Sequence, residues 1–241
     1  MRFALYILLL FLFASCGGPA HTGVAEAIPV ADTLHHYDTL FFGQHAVVFT
    51  PITPTEFDKL ADQGFSGDSR GDDSPLIARD KEFISKKDST FTIRCANNQI
   101  VKLTEQCSCD GDDYIDYTYG GRLGNTPFLV FKVGYYEKLD YLLINLNSGK
   151  KVTTWGMPEL APDGKKLIST SYDLDVGFMH NGMQLFEVEP DSLHTLWEKE
   201  LENWGPEEIK WLDNKNLYVK QSTPAAAGKF ITAYAKVQLD K

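Results

Sequence analysis

Cysteine, histidine and clustered positive charge are all scarce in this sequence. Its 241 residues hold four cysteines and six histidines. The histidines (His21, His35, His36, His45, His180 and His194) are scattered, with no His-Glu-x-x-His spacing that would grip zinc. Lysine and arginine number 23 against 33 acidic residues, a formal charge of −10, and no arginine-rich stripe interrupts the acidity. Such a surface repels nucleic acid phosphates and anionic lipid headgroups, which argues against nucleic acid as a partner. Catalytic strings are missing too. There is no Gly-x-Ser-x-Gly, and "ISKK" at residues 84–87 is a Ser-x-Lys, one residue short of Ser-x-x-Lys. "YGGRLGN" has glycines but no strand-to-helix setting for a phosphate. Glu207 and Glu208 are adjacent, so on a regular strand they point to opposite faces. "RGD" at Arg70–Asp72 is too short a string to carry an adhesion role. No cofactor is implied, and the balance leans away from an enzyme.

Long apolar runs are also lacking, apart from one at the start. Arg2 precedes twelve apolar residues, Phe3 to Ala14, and then the small pair Ala14-Ser15 stands before Cys16. That is the charged, apolar, small-residue layout of a secretory signal over residues 1–15. Twelve residues fall short of the roughly 20 needed to span a bilayer. The small pair before a cysteine resembles the bacterial lipobox, in which the cysteine is lipidated and becomes the mature N-terminus. The match departs at Phe13, where the family prefers leucine; Bacteroidota-type lipoproteins are looser there and often continue as "SCG". The resemblance implies a lipid on Cys16, an oxidising compartment, and anchoring by acyl chains rather than by a helix. Gly17 and Gly18 follow the cysteine, which resembles release to the outer membrane and favours its periplasmic face. Loss of residues 1–15 leaves 22 of the 23 basic residues against all 33 acidic ones.

Residues 16–36 are small, proline-bearing and poor in charge, and read as a flexible tether. Residues 37–241 read as a single all-β domain. "TPTEFDKLADQGF" predicts one short helix near 54–63, capped by Thr55 and ended by Gly64. "SGDSRGDDSP" is a polar loop. Everything downstream reads as strand and turn. "STFTIRC" alternates and turns through "ANNQ" into "IVKL". "YIDYTY", "FLVFKVGYY", "YLLINL", "KVTTW", "KKLISTS", "MQLFEVE", "LHTLWEKEL", "NLYVKQ" and "FITAYAKVQL" follow, separated by Gly, Pro, Asn and Asp.

A repeat is visible in the second half, with units at about 155–200 and 204–241. "WGMPELAPDGKKLIS" and "WGPEEIKWLDNKNLYV" share a Trp-Gly start, an Asp-Gly or Asp-Asn turn and a following leucine, at an offset of about 50 residues. A period near 50 is what propeller blades show. The turn "APDGKKL" resembles bacterial WD-like propeller repeats such as those of the Tol-Pal-associated periplasmic propeller. The fold is therefore expected to be propeller-like, or an antiparallel meander or sandwich. The chain as a whole resembles uncharacterised bacterial lipoproteins sharing "YYE", "YLLINLNSGK", "WGMPELAPDGK" and "GPEEIKWLD", a likeness that implies no activity.

With Cys16 committed to lipid, Cys95, Cys107 and Cys109 remain. One disulfide is expected, from Cys95 to Cys107 or to Cys109, closing a loop of about 13 or 15 residues that adds roughly 3 kcal/mol. The acidic residues Asp110, Asp112, Asp113 and Asp116 are the one place to look for a cation, but Tyr114 and Ile115 stand where a calcium-binding EF-hand loop needs a ligand and a glycine. Exposed aromatics are the other resource. The repeat places Trp155-Gly156 and Trp204-Gly205 equivalently, which makes them the binding candidates. The reading that results is a lipid-anchored envelope protein that binds a protein or a glycan without catalysis. Its alternatives are a hydrolase or cation-dependent enzyme using residues 110–116, and an inhibitor or immunity protein.

Overall fold

The computed structural model describes residues 39–42, 45–61, 72–106 and 113–239. The signal, Cys16, the whole tether, the Arg70-Gly71 part of "RGD", Cys107, Cys109, Asp110 and Asp112 lie outside those residues. The chain is all-β, as expected, with two short helices.

Two strands open the described chain, β1 (Thr39–Phe42) and β2 (His45–Pro51). Helix α1 (Pro54–Phe57) follows, and its cap differs from the expected Thr55. Thr53 takes that role: its hydroxyl accepts the Glu56 N–H at 3.2 Å, while the Glu56 carboxylate accepts the Thr53 N–H at 2.8 Å. Pro54 explains the shift, because it occupies the first helical position, where a missing N–H costs nothing. A second helix, α2 (Ser74–Arg79), stands where only loop and strand were expected. At six residues, under two turns, it is too short to show a helical period, and only its Leu76 and Ile77 reach the core.

Sheet I is a meander of β3 (Ile84–Lys87), β4 (Thr90–Arg94) and β5 (Ile100–Thr104). The predicted "ANNQ" turn joins β4 to β5, with Asn98 at φ 66°, a left-handed position that asparagine tolerates better than most residues. Sheet II is β6 (Asp116–Arg122), β7 (Phe128–Gly134), β8 (Leu139–Asn145) and β9 (Lys151–Thr154). Sheet III is β10 (Pro158–Leu160), β11 (Lys166–Ser171), β12 (Gly182–Val188) and β13 (Leu193–Glu200). Sheet IV takes β14 (Gly205–Trp211), β15 (Asn216–Pro224) and β16 (Phe230–Gln238) from the end of the chain and β2 and β1 from its beginning. Both prolines that disguise strands sit at edges, Pro158 opening β10 and Pro206 beside a bulge in β14.

The sheets pack face to face in chain order. Phe91, Ile93 and Leu103 of sheet I meet Leu129, Phe131 and Ile144 of sheet II. The other face of sheet II, with Phe128, Val130 and Leu143, meets Leu167 and Phe186 of sheet III. The far face of sheet III, with Ile168, Met183 and Leu185, meets Trp204, Trp211, Val219 and Val47 of sheet IV. "FLVF" in β7 is a continuous apolar run because both of its faces are covered. Strand β5, by contrast, alternates buried and exposed along its whole length. Sheet I therefore has one open face, carrying Arg94, Ile100 and Lys102. Consecutive antiparallel meanders stacked as layers fit the meander or sandwich form of the expectation, the last sheet being completed by N-terminal strands. Among the described residues no apolar cluster joins sheet I to sheet IV.

Candidate functional site

The repeat residues gather at one end of sheets III and IV. Trp155 is half-buried, and its indole stacks flat on the His180 imidazole, 4.4 Å between centres and 11° between planes. His180 Nδ1 in turn meets a carboxylate oxygen of Glu200. Gly156 is buried: a Cβ there would come 1.8 Å from the Thr170 carbonyl oxygen, so only glycine permits the approach. Its N–H donates to the Ser169 hydroxyl at 2.9 Å. Trp204 is a core side chain, 2% exposed and edge-on to Phe49. Gly205 lies against Tyr172 and Asn181, and the Asn181 amide donates to the carbonyl of Trp204 at 2.9 Å. At the far end the two repeat turns touch, the Asp163 N–H donating to Asn214 Oδ1 at 3.0 Å. Of the four repeat residues, then, Trp155 alone offers part of a ring to solvent.

Cys95 is a free thiol, 6% exposed, at the end of β4. The expected clasp to Cys107 or Cys109 is not formed from it. Its sulfur faces inward, 4.0 Å from the carbonyl oxygen of Asn145 across the core between sheets I and II, and burial pushes its pKa up. Of the acidic residues, Asp113 is exposed and Asp116 opens β6. Among the described residues no group of three or more His, Cys, Asp or Glu side chains converges on a metal-sized space. Glu207 and Glu208 are engaged by Lys220 at 2.6 Å and Lys210 at 3.3 Å.

A cleft of about 720 Å³ opens beside Asp116. Its floor and one wall are β6 and β7 with the turn 135–138, contributing Asp116, Thr118, Lys132, Tyr135 and Tyr136; Met179 comes from the loop that precedes β12. The apolar packing of sheet II on sheet III through Val130 and Leu143 gives way, further along β7, to Lys132 and Gly134. Gly134 is opposite Asp116 in the register, and a Cβ there would lie 2.0 Å from Asp116 Oδ1; the glycine makes room for the carboxylate. Tyr135 and Tyr136 are 37% and 66% exposed. Two tyrosines in a turn between strands that already fill the core were the available sequence signal, since a turn has no inward face for both. Met179 gave no signal: its place is set by Asp173, whose carboxylate accepts N–H groups from Val176 and Gly177 at 3.0 Å and from Met179 at 2.7 Å. Partial burial works to raise the Asp173 pKa, but those N–H donors outweigh it and hold the pKa below the usual carboxylate value. The same loop exposes Val176 and Phe178, at 63% and 52%.

A second ionic group stitches α2 to the sheets. Asp80 accepts the Tyr119 hydroxyl at 2.8 Å and pairs with Arg79 at 2.6 Å, and Asp73 accepts the Tyr119 N–H at 3.2 Å. Burial works to raise the Asp80 pKa, yet the Arg79 and Tyr119 hydrogen bonds together lower it; burial, with Asp80 beside it, pushes the Tyr119 pKa well above the normal phenol value. Its role is structural, since both Asp80 and Tyr119 are buried. Comparison of the chain with protein families, with curated proteins and with solved structures finds no match.

Proposed function

We propose that this chain is a lipid-anchored envelope protein that holds a protein or glycan partner, without catalysis, at the cleft between sheets II and III. The observation that carries the reading is the exposed Tyr135-Tyr136 turn standing over a cleft of about 720 Å³, a size typical of ligand sites. The exposed tyrosines share the cleft with Met179, and the loop that carries Met179 also exposes Phe178 and Val176; exposed apolar groups of this kind mark interaction surfaces. The anchor rests on the sequence around Cys16, and the periplasmic face of the outer membrane on Gly17-Gly18.

Palmitate labelling with membrane fractionation tests the anchor. Label on the wild-type chain and none on Cys16→Ser, which leaves the membrane fraction, is the expected result; identical fractionation of the two would discard it. Crosslinking from a photoreactive residue at position 136 tests the site, with envelope material captured there and not at Lys102 on the open face of sheet I. Calcium or a chelator should leave melting temperature and capture unchanged, which separates this reading from a cation-dependent enzyme.

A further inference from the structure

The groups lining the cleft are of two kinds. Tyr114, Tyr135, Tyr136 and Met179 are amphipathic or apolar, and Asp116, Thr118, Lys132, Glu137 and Lys138 are polar. The charged ones balance, with two carboxylates and two ammonium groups, although the chain as a whole carries −10. A site for an anionic or cationic polymer needs an excess of the opposite sign, because a charge desolvated without a partner is costly. The balanced lining instead offers acceptors (Asp116, Glu137) and donors (Lys132, Lys138), with the Thr118 hydroxyl able to act as either. A sugar ring has matching chemistry: hydroxyls that donate and accept around its rim, and a C–H face that packs on an aromatic ring.

The cleft is also pre-formed. The Tyr135 N–H donates to the Lys138 carbonyl at 2.8 Å, which closes the turn. Lys138 pairs with the buried Asp140 at 2.9 Å and stands 5.9 Å from the centre of the Tyr135 ring. Asp116 is seated over Gly134, and Met179 is fixed by Asp173. Little ordering is left to be done on binding. We infer that the cleft binds a neutral oligosaccharide, with a sugar ring on Tyr136 and hydroxyls bridging Asp116, Thr118 and Lys132. This rests on the binding-module reading above and names its ligand class.

The test uses the full chain in detergent micelles. Calorimetric titration is run against neutral tetrasaccharides (β-1,4-linked glucose, β-1,4-linked N-acetylglucosamine, α-1,4-linked glucose), polygalacturonate as an anionic glycan, and an uncharged extended peptide. Variants are Tyr136→Ala at an exposed position and Asp116→Asn, nearly isosteric at a partly buried one, with melting temperature measured in parallel. Saturable binding of a neutral tetrasaccharide, weakened tenfold or more by each variant at unchanged melting temperature, is the expected result. Preference for polygalacturonate or for the peptide, or saccharide binding that neither variant weakens, overturns the inference. Failure of the two readings is distinguishable. If no saccharide binds but the position-136 crosslink captures an envelope protein, and Asp116→Asn abolishes that capture, the ligand class is wrong and the binding module stands. If neither saccharide nor envelope protein is held at the cleft, both fall.

Discussion

At the scale of single residues, two carboxylates do more than solvate the surface. Asp80 is buried against Tyr119 and paired with the exposed Arg79, so Tyr119→Phe removes one donor from a desolvated anion. The expected cost is about 1–3 kcal/mol, read from the shift in urea midpoint at unchanged slope. Because the folded pKa of Asp80 lies below its ordinary value, the stabilisation is complete above the ordinary carboxylate range, near pH 4, and fades as pH falls through the lower folded value. The variant should therefore lose part of the wild-type dependence on acid below pH 4, and an unchanged acid transition would contradict this role. Asp173 behaves with the same sign but locally. In Asp173→Asn the three N–H groups lose an anionic acceptor, and amide exchange at Val176, Gly177 and Met179 should quicken by roughly tenfold, on the order of 1 kcal/mol, with little change in global melting. Wild-type protein should lose the same local protection, measured relative to intrinsic amide exchange, as pH falls through the lowered Asp173 value. Neither carboxylate was marked in the sequence, because what distinguishes each is its partners: Tyr119 is 39 positions from Asp80.

At the scale of elements, the offset-50 repeat corresponds to two equivalent hairpins, β10–β11 and β14–β15. Their turns use the same device: the Asp163 carboxylate accepts the Lys165 N–H at 3.0 Å, and Asp213 accepts those of Lys215 and Asn216 at 2.8 and 2.9 Å. The glycines of one unit are not equal, however. Gly164 has φ +70° but open space around it, so Gly164→Asn should be nearly neutral, as asparagine tolerates that conformation. Gly156→Ala drives a Cβ into backbone and should cost about 1–3 kcal/mol or more. Equal melting temperatures for the two variants would refute this account. Most strand positions were legible from alternation and turn residues, but the pairing of the N-terminal strands with β16 was not. The elements that escaped had physical reasons to do so. Strands β10 and β14 carry proline, α2 is under two turns long, β3 carries two lysines on a four-residue edge, and β1 is only four residues long.

At the scale of the whole molecule, the N-terminal strands complete a sheet made by the C-terminal ones. Phe42 stacks on Trp197 with centres 4.4 Å apart, Phe49 meets Trp204, and Val47 is fully buried. Burying side chains of this size contributes about 1.5–3 kcal/mol each, against a total stability of roughly 5–15 kcal/mol for a typical domain. A chain starting after Ile52 also leaves β16 as a bare edge with open hydrogen-bonding groups. It should lose cooperative unfolding and near-ultraviolet circular dichroism from Trp197 and Trp204, and should bind a hydrophobic dye. A cooperative melt near the wild-type temperature would show that sheet IV is sufficient without β1 and β2.

The sequence alone determined the β-class of this chain, the position of most turns, the hairpin repeat and the acidic surface, because each depends on residues near one another along the backbone. It also carries, unaided, the case for an anchor at Cys16. Only the tertiary structure decided which aromatic rings meet solvent. Trp204 has the stronger look of a ligand platform, but stacking sheet III on sheet IV spends it on the core, whereas the less conspicuous Tyr136 stands clear because its turn falls where sheets II and III part. Cys95 shows the same division: its spacing from two other cysteines suggested a clasp, and the packing of sheet I on sheet II turned its sulfur inward instead.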